Sequence, residues 1–189
     1  MKWLSHISEY WKFEYPDRDF RRMRPLMRLS RLALLMPAFQ KHVLQPHDLT
    51  PSDYSILGAL RRAGSPRQLK PGDLYNTLGC TPGGLTKMVD RLEKRGLVQR
   101  VTDREDGRRA RIRLTSKGAE VERKAGSAYN DSAERLMSQL TDSEVAEIDS
   151  ALERLLVCFE AADDSEFASP FASPNELRAA GRASLWGKP

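Results

Sequence analysis

Apolar residues recur at helical spacing through most of the chain, and the period changes to strict alternation in one short stretch. Ile7, Tyr10 and Trp11 predict a short leading helix over Ser5–Lys12, interrupted by Tyr15-Pro16-Asp17, with a new start near Asp17. From Phe20 to Val43, Met23, Leu26, Met27, Leu34 and Leu35 mark a long helix, and Pro25 and Pro37 either kink it or mark its edges. Its wide apolar surface predicts burial against more than one neighbour. Thr50-Pro51-Ser52-Asp53 reads as a helix start, with Thr50 capping and Pro51 in the first turn, where a missing N–H costs nothing. Tyr54, Ile56, Leu57 and Leu60 form the buried face of that helix, and Ala63-Gly64-Ser65-Pro66 ends it. A short helix opens at Pro71-Gly72-Asp73 and ends at Leu78-Gly79; another opens at Thr81-Pro82-Gly83-Gly84 and runs to Arg95-Gly96.

Alternation then takes over. Leu97 to Val101 is strand-like and Asp106-Gly107 is a turn signal. From there Ala110, Ile112 and Leu114 share one face while Arg109, Arg111 and Arg113 share the other. Thr115-Ser116-Lys117-Gly118 begins a helix carried to Gln139, and Thr141-Asp142-Ser143-Glu144 is a capping box for a last helix reaching Ala162. Val145, Ile148, Leu152, Leu155, Leu156 and Phe159 are the apolar positions of this last helix, and Cys158 beside them is read as core. Beyond Ala162, Phe167-Ala168-Ser169-Pro170 is repeated as Phe171-Ala172-Ser173-Pro174, which reads as a linker. The fold class is therefore mainly α, a winged helix-turn-helix with a two-stranded β-wing between long helices.

Charge sharpens the picture through its placement. The 189 residues carry 31 Lys and Arg against 26 Asp and Glu, a net charge of only +5. Arginines crowd into residues 18–31 and 100–113, while residues 141–166 are acidic. A basic hairpin following a helix is the form in which one element enters a major groove and the other reaches the neighbouring backbone. On the helix from Thr81, Leu85, Met88, Val89 and Leu92 make an apolar stripe. Opposite it stand Pro82, Gly83, Thr86, Lys87, Asp90, Arg91 and Lys94. A glycine pair at a helix start lets a phosphate approach the backbone N–H groups. Thr86 and Lys87 suit base edges, and Arg91 suits a phosphate or a base. The alternative is an amphipathic surface helix with a solvated polar face. At the hairpin tip, Arg104, Arg108 and Arg109 suit phosphate oxygens or a narrow minor groove, with Asp103 able to pair with one of them. The alternative there is a salt-bridged surface hairpin, because Asp103, Glu105 and Asp106 offset part of the charge.

Other chemistry is sparse. The two cysteines, Cys80 and Cys158, have no metal-ligand spacing and predict a reducing compartment without structural disulfides. No signal-like apolar run follows Met1 and no stretch approaches a membrane span, so a cytoplasmic protein with no membrane partner is expected. No nucleophile motif frames the Ser, His and Asp residues and no phosphate-binding glycine fingerprint appears, which argues against an enzyme and against a cofactor or metal.

Three segments together carry a family likeness. The run from Leu57 to Gly64, the run from Thr86 to Val98, and Asp103–Arg109 with Leu114-Thr115-Ser116-Lys117-Gly118 resemble the MarR family of transcriptional regulators, over residues 18–160. The resemblance implies a homodimer on double-stranded DNA, at a palindromic operator, released by a small effector. It implies DNA contact at Thr81, Gly83, Thr86, Lys87 and Arg91, with Pro82 beside them, and wing contact at Arg104, Arg108 and Arg109. It divides the chain into a helical dimerisation region (residues 1–49 and 116–162), a winged lobe (50–115) and a tail (163–189). Trp11, Pro16-Asp17 and Leu29-Ser30-Arg31 are similar to the PecS and urate-responsive subgroup, in which a leading helix with a tryptophan helps form the effector pocket. Met88 stands where urate-type members usually carry arginine, which points away from urate and toward an aromatic acid or phenol. Arg31 would meet a carboxylate, with Trp11, Tyr15, Tyr54 and Met88 as apolar contacts. Each also fits a structural role, the aromatics as core and Arg31 as partner of a helix acid. Two other functions stay open: a redox-sensing repressor through Cys80 or Cys158, since the helix after Cys80 could lower a thiol pKa, although Cys80 fits better as a small buried turn residue, and a winged-helix protein-interaction module without DNA.

Overall fold

The threonines that punctuate the sequence act as helix caps in the computed structural model, which describes residues 2–102 and 110–161. The elements run α1 (Lys2–Glu14), α2 (Met23–Leu44), a 3-10 turn (Gln45–His47), α3 (Pro51–Arg62), β1 (Gln68–Leu69), α4 (Pro71–Leu78), α5 (Pro82–Lys94), β2 (Val98–Thr102), β3 (Ala110–Leu114), α6 (Ser116–Met137) and α7 (Asp142–Ala161). Thr50 Oγ1 accepts from the Asp53 N–H at 3.1 Å while the Asp53 carboxylate accepts from the Thr50 N–H at 3.0 Å, a reciprocal box at the start of α3. Thr81 accepts from Gly84 N–H at the start of α5 and Thr115 from Gly118 N–H at the start of α6. Thr141 and Glu144 close the predicted box of α7, and the bonds from Thr141 hold the Glu144 carboxyl below its usual pKa. Each such cap satisfies donors the helix leaves unpaired.

The chain forms two compact units, residues 1–42 and residues 43–189. In the first, α2 starts at Met23 rather than near Asp17. Asp19 accepts from both the backbone N–H and the guanidinium of Arg21, a local bond network that competes with helix formation. Pro25 falls in the first turn and α2 runs on through Pro37.

The second unit holds the winged lobe. Leu44, Ile56, Leu57, Leu60, Leu74, Val89, Leu92, Leu97 and Val98 are almost completely buried together. They are the apolar stripes of α3, α4 and α5 closing on β2 and the end of α2. The predicted two-stranded wing is β2 and β3, and among the described residues a third strand joins it to give the order β1-β3-β2, all antiparallel. β1 pairs Gln68 with Arg113 and Leu69 with Ile112. Two residues are too few to show alternation, so the sequence pattern hides β1. It is delivered by a turn with Gly64 and Arg67 at φ +71° and +59°.

Two apolar faces read as buried are exposed in the single chain. Along α7, Val145, Ile148, Leu152, Leu156 and Phe159 are 36–53% exposed. Met23, Leu26, Leu34 and Leu35 of α2 are likewise exposed, and so is Cys158. Periodicity identifies an apolar face, but one chain alone does not supply the surface that covers it. The tail from residue 162 and its Phe-Ala-Ser-Pro repeat lie outside the described residues.

Candidate nucleic-acid interface

Two short helices set up the surface. α4 ends at Gly79, whose φ of +60° turns the chain toward α5. Thr81 caps α5 and is exposed, as are Pro82, Gly83, Thr86 and Lys87. Leu85, Val89 and Leu92 point the other way into the core, with Met88 half-buried against it. The predicted division of α5 into an apolar and a polar face is thus present in the fold. The two glycines differ. A Cβ at Gly84 would lie 3.1 Å from Thr81 Oγ1, so the small residue fits the cap. Among the described residues, its own helix turn apart, nothing lies within 4 Å of a Cβ added at Gly83, so these residues do not themselves require glycine there.

Ion pairs commit the far half of α5 to the protein. Arg91 Nη2 lies 2.5 Å from Asp53 Oδ1 and 3.4 Å from Thr50 Oγ1. Arg95 Nη2 lies 3.0 Å from Asp48 Oδ2. On another side, Arg100 of β2 donates through Nη2 to Asp90 at 2.5 Å, and its backbone N–H donates to Glu93 at 2.9 Å. Its guanidinium also bonds Glu93, and these acids raise the Arg100 pKa above the ordinary value. β2, packed against α5, pairs with β3 from Val98–Leu114 out to Thr102–Ala110, forming the two strands of the hairpin. Its tip, with Asp103, Arg104, Arg108 and Arg109, lies outside the described residues.

Asp48, Asp53 and the Arg100 cluster were not candidate site residues from sequence. Asp53 reads there only as a first-turn acid, the usual ornament of a helix start. The one available signal was the spacing of Asp90 and Glu93, which puts two acids on neighbouring positions of a helix face.

The candidate effector residues fall in both units. In residues 1–42, Trp11 and Tyr15 gather on Phe20, with ring centroids 4.9 and 5.9 Å away, and Arg31 is exposed on α2. In the second unit, Tyr54 stacks on Tyr129 with centroids 5.8 Å apart and planes 8° apart, between α3 and α6. Burial, with the Glu122 charge, raises the Tyr54 pKa.

Cys80, half-buried in front of the α5 cap, behaves opposite to the expectation of a lowered pKa. Burial pushes its thiol up, so less of it is thiolate near neutral pH than in an ordinary cysteine. In a Cys158→Ser background, alkylation of Cys80 by iodoacetamide is expected to be slower than that of a free cysteine peptide and to accelerate at higher pH. A rate above the peptide's near neutral pH would contradict this.

Among the described residues no helix is long and apolar enough to cross a membrane. The sequence pattern of the MarR family matches residues 47–109. The chain is 28% identical over 152 residues to the HTH-type transcriptional regulator PecS of Dickeya dadantii, covering 80% of this chain and 92% of PecS. It is 32% identical over 114 residues to the multiple antibiotic resistance protein MarR of Salmonella typhimurium, covering 60% of this chain and 77% of MarR. Its fold matches a MarR C80S mutant from E. coli crystallised with operator DNA, with a TM-score of 0.61 at 28% identity, over 74% of this chain and 99% of that one. With its helix-turn-helix lobe and hairpin in place, the chain belongs to the MarR family of transcriptional regulators.

Proposed function

We propose that this regulator is a repressor that binds a palindromic operator as a homodimer and is released by a small aromatic acid or phenol. One observation carries the DNA reading: the near half of α5 presents Thr81, Pro82, Thr86 and Lys87 to solvent around an open Gly83, directly ahead of the arginine-rich hairpin. The space beside Gly83 suits a phosphate, Thr86 and Lys87 suit base edges, and Arg104, Arg108 and Arg109 suit the backbone beyond. That a MarR relative has been crystallised on operator DNA supports the same use of this lobe.

Dimerisation rests on the uncovered apolar faces. α7 and the end of α6 line a groove of about 360 Å³ with Met137, Val145, Ala146, Ile148 and Leu152. A second copy covering α2 and α7 would remove this surface from water, the strongest drive available to association. Two recognition helices held about 34–36 Å apart then match successive major grooves. An effector acts if it binds better to a state with another spacing. Its candidate contacts, each tested singly, are Arg31 for a carboxylate and Trp11, Tyr15, Tyr54 and Met88 for a ring.

Lys87→Ala is expected to change which duplex sequences are preferred, whereas Arg108→Ala weakens selected and random duplexes alike and lowers the salt dependence. Binding isotherms at several salt concentrations read both. Equal loss of sequence preference in the two variants would defeat this division of labour. A thermal-shift screen of aromatic acids and phenols, followed by DNA release with any stabilising compound, tests the effector. A Cys80→Ser, Cys158→Ser variant that still responds to the compound removes the redox alternative.

A further inference from the structure

The guanidinium of Arg91 has an unusual partner for a residue on a recognition helix. Asp53, in the first turn of α3, is 1% exposed, and both of its oxygens are engaged. Oδ2 accepts the Thr50 N–H and closes the cap of α3; Oδ1 receives Arg91 Nη2. A buried carboxylate is strongly unfavourable unless paired and hydrogen-bonded, so the partner that compensates it is held firmly. Four positions on, Arg95 reaches Asp48, whose backbone is left-handed at φ +55° just after the 3-10 turn. Arg91 and Arg95 therefore lie on one line of α5 and meet one short segment, residues 48–53. Thr86 and Lys87, a turn earlier, face solvent.

We propose that Arg91 is a positioning residue: through Asp53 it fixes the angle at which α5 presents Thr86 and Lys87, and it does not itself neutralise a phosphate. This rests on the reading of α5 as the recognition helix and assigns Arg91 a different part within it. A helix anchored at its far end by a buried acid cannot roll without uncovering that acid. A base contact by the short Thr86 side chain tolerates little roll, so the anchor sets sequence discrimination. Arg95 and Asp48, the latter 92% exposed at its side chain, reinforce the anchor weakly.

The test uses the full-length protein and a duplex that it selects from a random-sequence pool. Should nothing be selected, the DNA reading itself fails and this inference with it. Given a selected duplex, affinities for it and for a random duplex are measured from about 50 to 200 mM salt, the range over which phosphate contacts are most visible. Arg91→Gln is expected to lose about tenfold on the selected duplex, the share of one specific contact, and less on the random one. The slope of log affinity against log salt stays as in the wild type. Asp53→Asn retains an amide able to accept the Thr50 N–H but removes the charge that holds Arg91. It is expected to reproduce the same loss, although Asp53 is too buried to touch DNA, and the double variant loses no more than either single one. A salt slope lowered by about one in Arg91→Gln would make it a phosphate contact and overturn the proposal. Loss of discrimination in Arg91→Gln with none in a folded Asp53→Asn would make it a base contact and overturn it equally. If Asp53→Asn does not fold, Arg91→Lys takes its place. A cation without the planar fork keeps a phosphate contact's salt slope and affinity, but under our proposal it still loses discrimination.

Discussion

Gly118→Ala is expected to destabilise the fold by about 3 kcal/mol, among the largest effects available to one methyl group. Gly118 is buried in the first turn of α6, where the helix crosses the chain at Leu97, just before β2 begins. A Cβ there would overlap the Leu97 carbonyl and lie 2.9 Å from Leu114 Cδ1. The Leu97 carbonyl cannot retreat easily, because it accepts the Thr115 N–H at 3.1 Å while the Thr115 hydroxyl donates to the adjoining Gly96 carbonyl at 2.8 Å. Thr115 in turn caps α6 through the Gly118 N–H at 2.9 Å. The cap, the Leu97 carbonyl and the helix start thus share one point of contact. Alanine's better helix propensity returns only about 1 kcal/mol. Urea unfolding at fixed protomer concentration measures the loss, and Gly83→Ala is the control, since among the described residues nothing beyond its own helix turn lies within 4 Å of its added Cβ. Equal stability of the two variants would show that α6 does not cross the chain at Leu97 this closely.

The contrast between these glycines also shows what a sequence can reveal. Both sit in the first turn of a helix after a threonine cap, and local pattern treats them alike. Caps are legible because they depend on residues three apart: the helix starts read at Thr50 and Thr81 and the box read at Thr141 and Glu144 all appear. The apolar stripe of α5 is legible for the same reason. The wing strands are legible from alternation, although their partner β1 is not, being two residues long and paired across 43 positions from Leu69 to Ile112. What sequence does not carry is the long-range partner of a charge. Arg91 looks like a solvated or DNA-facing cation until Asp53, 38 residues away, is seen beneath it. Exposed α7 shows the converse case, since periodicity marks its apolar face and leaves open which surface meets it.

Arg61→Ala is expected to cost about 2–3 kcal/mol, because it strands a buried acid rather than because a surface ion pair is lost. Arg61, near the end of α3, bonds the Glu122 carboxylate of α6 and donates to the Ala119 carbonyl at 3.0 Å. The Glu122 side chain is 11% exposed, whereas that of Arg61 is 36% exposed. The arginine could find water after the break; the glutamate could not. Removing the acid is therefore a different experiment from removing the base. Glu122→Gln keeps an acceptor for Arg61 and removes the buried charge, so it is expected to cost less than Arg61→Ala. A paired Arg61→Met, Glu122→Leu variant replaces the ion pair by apolar side chains of similar volume and is expected to recover most of the loss. The same pair joins α3 to α6 close to the Tyr54–Tyr129 stack, so near-ultraviolet circular dichroism reports whether the two helices keep their packing in each variant. If the double variant is as unstable as Arg61→Ala, the charge pair contributes through geometry that apolar packing cannot replace, and burial of an unpaired Glu122 is not the cause of the loss.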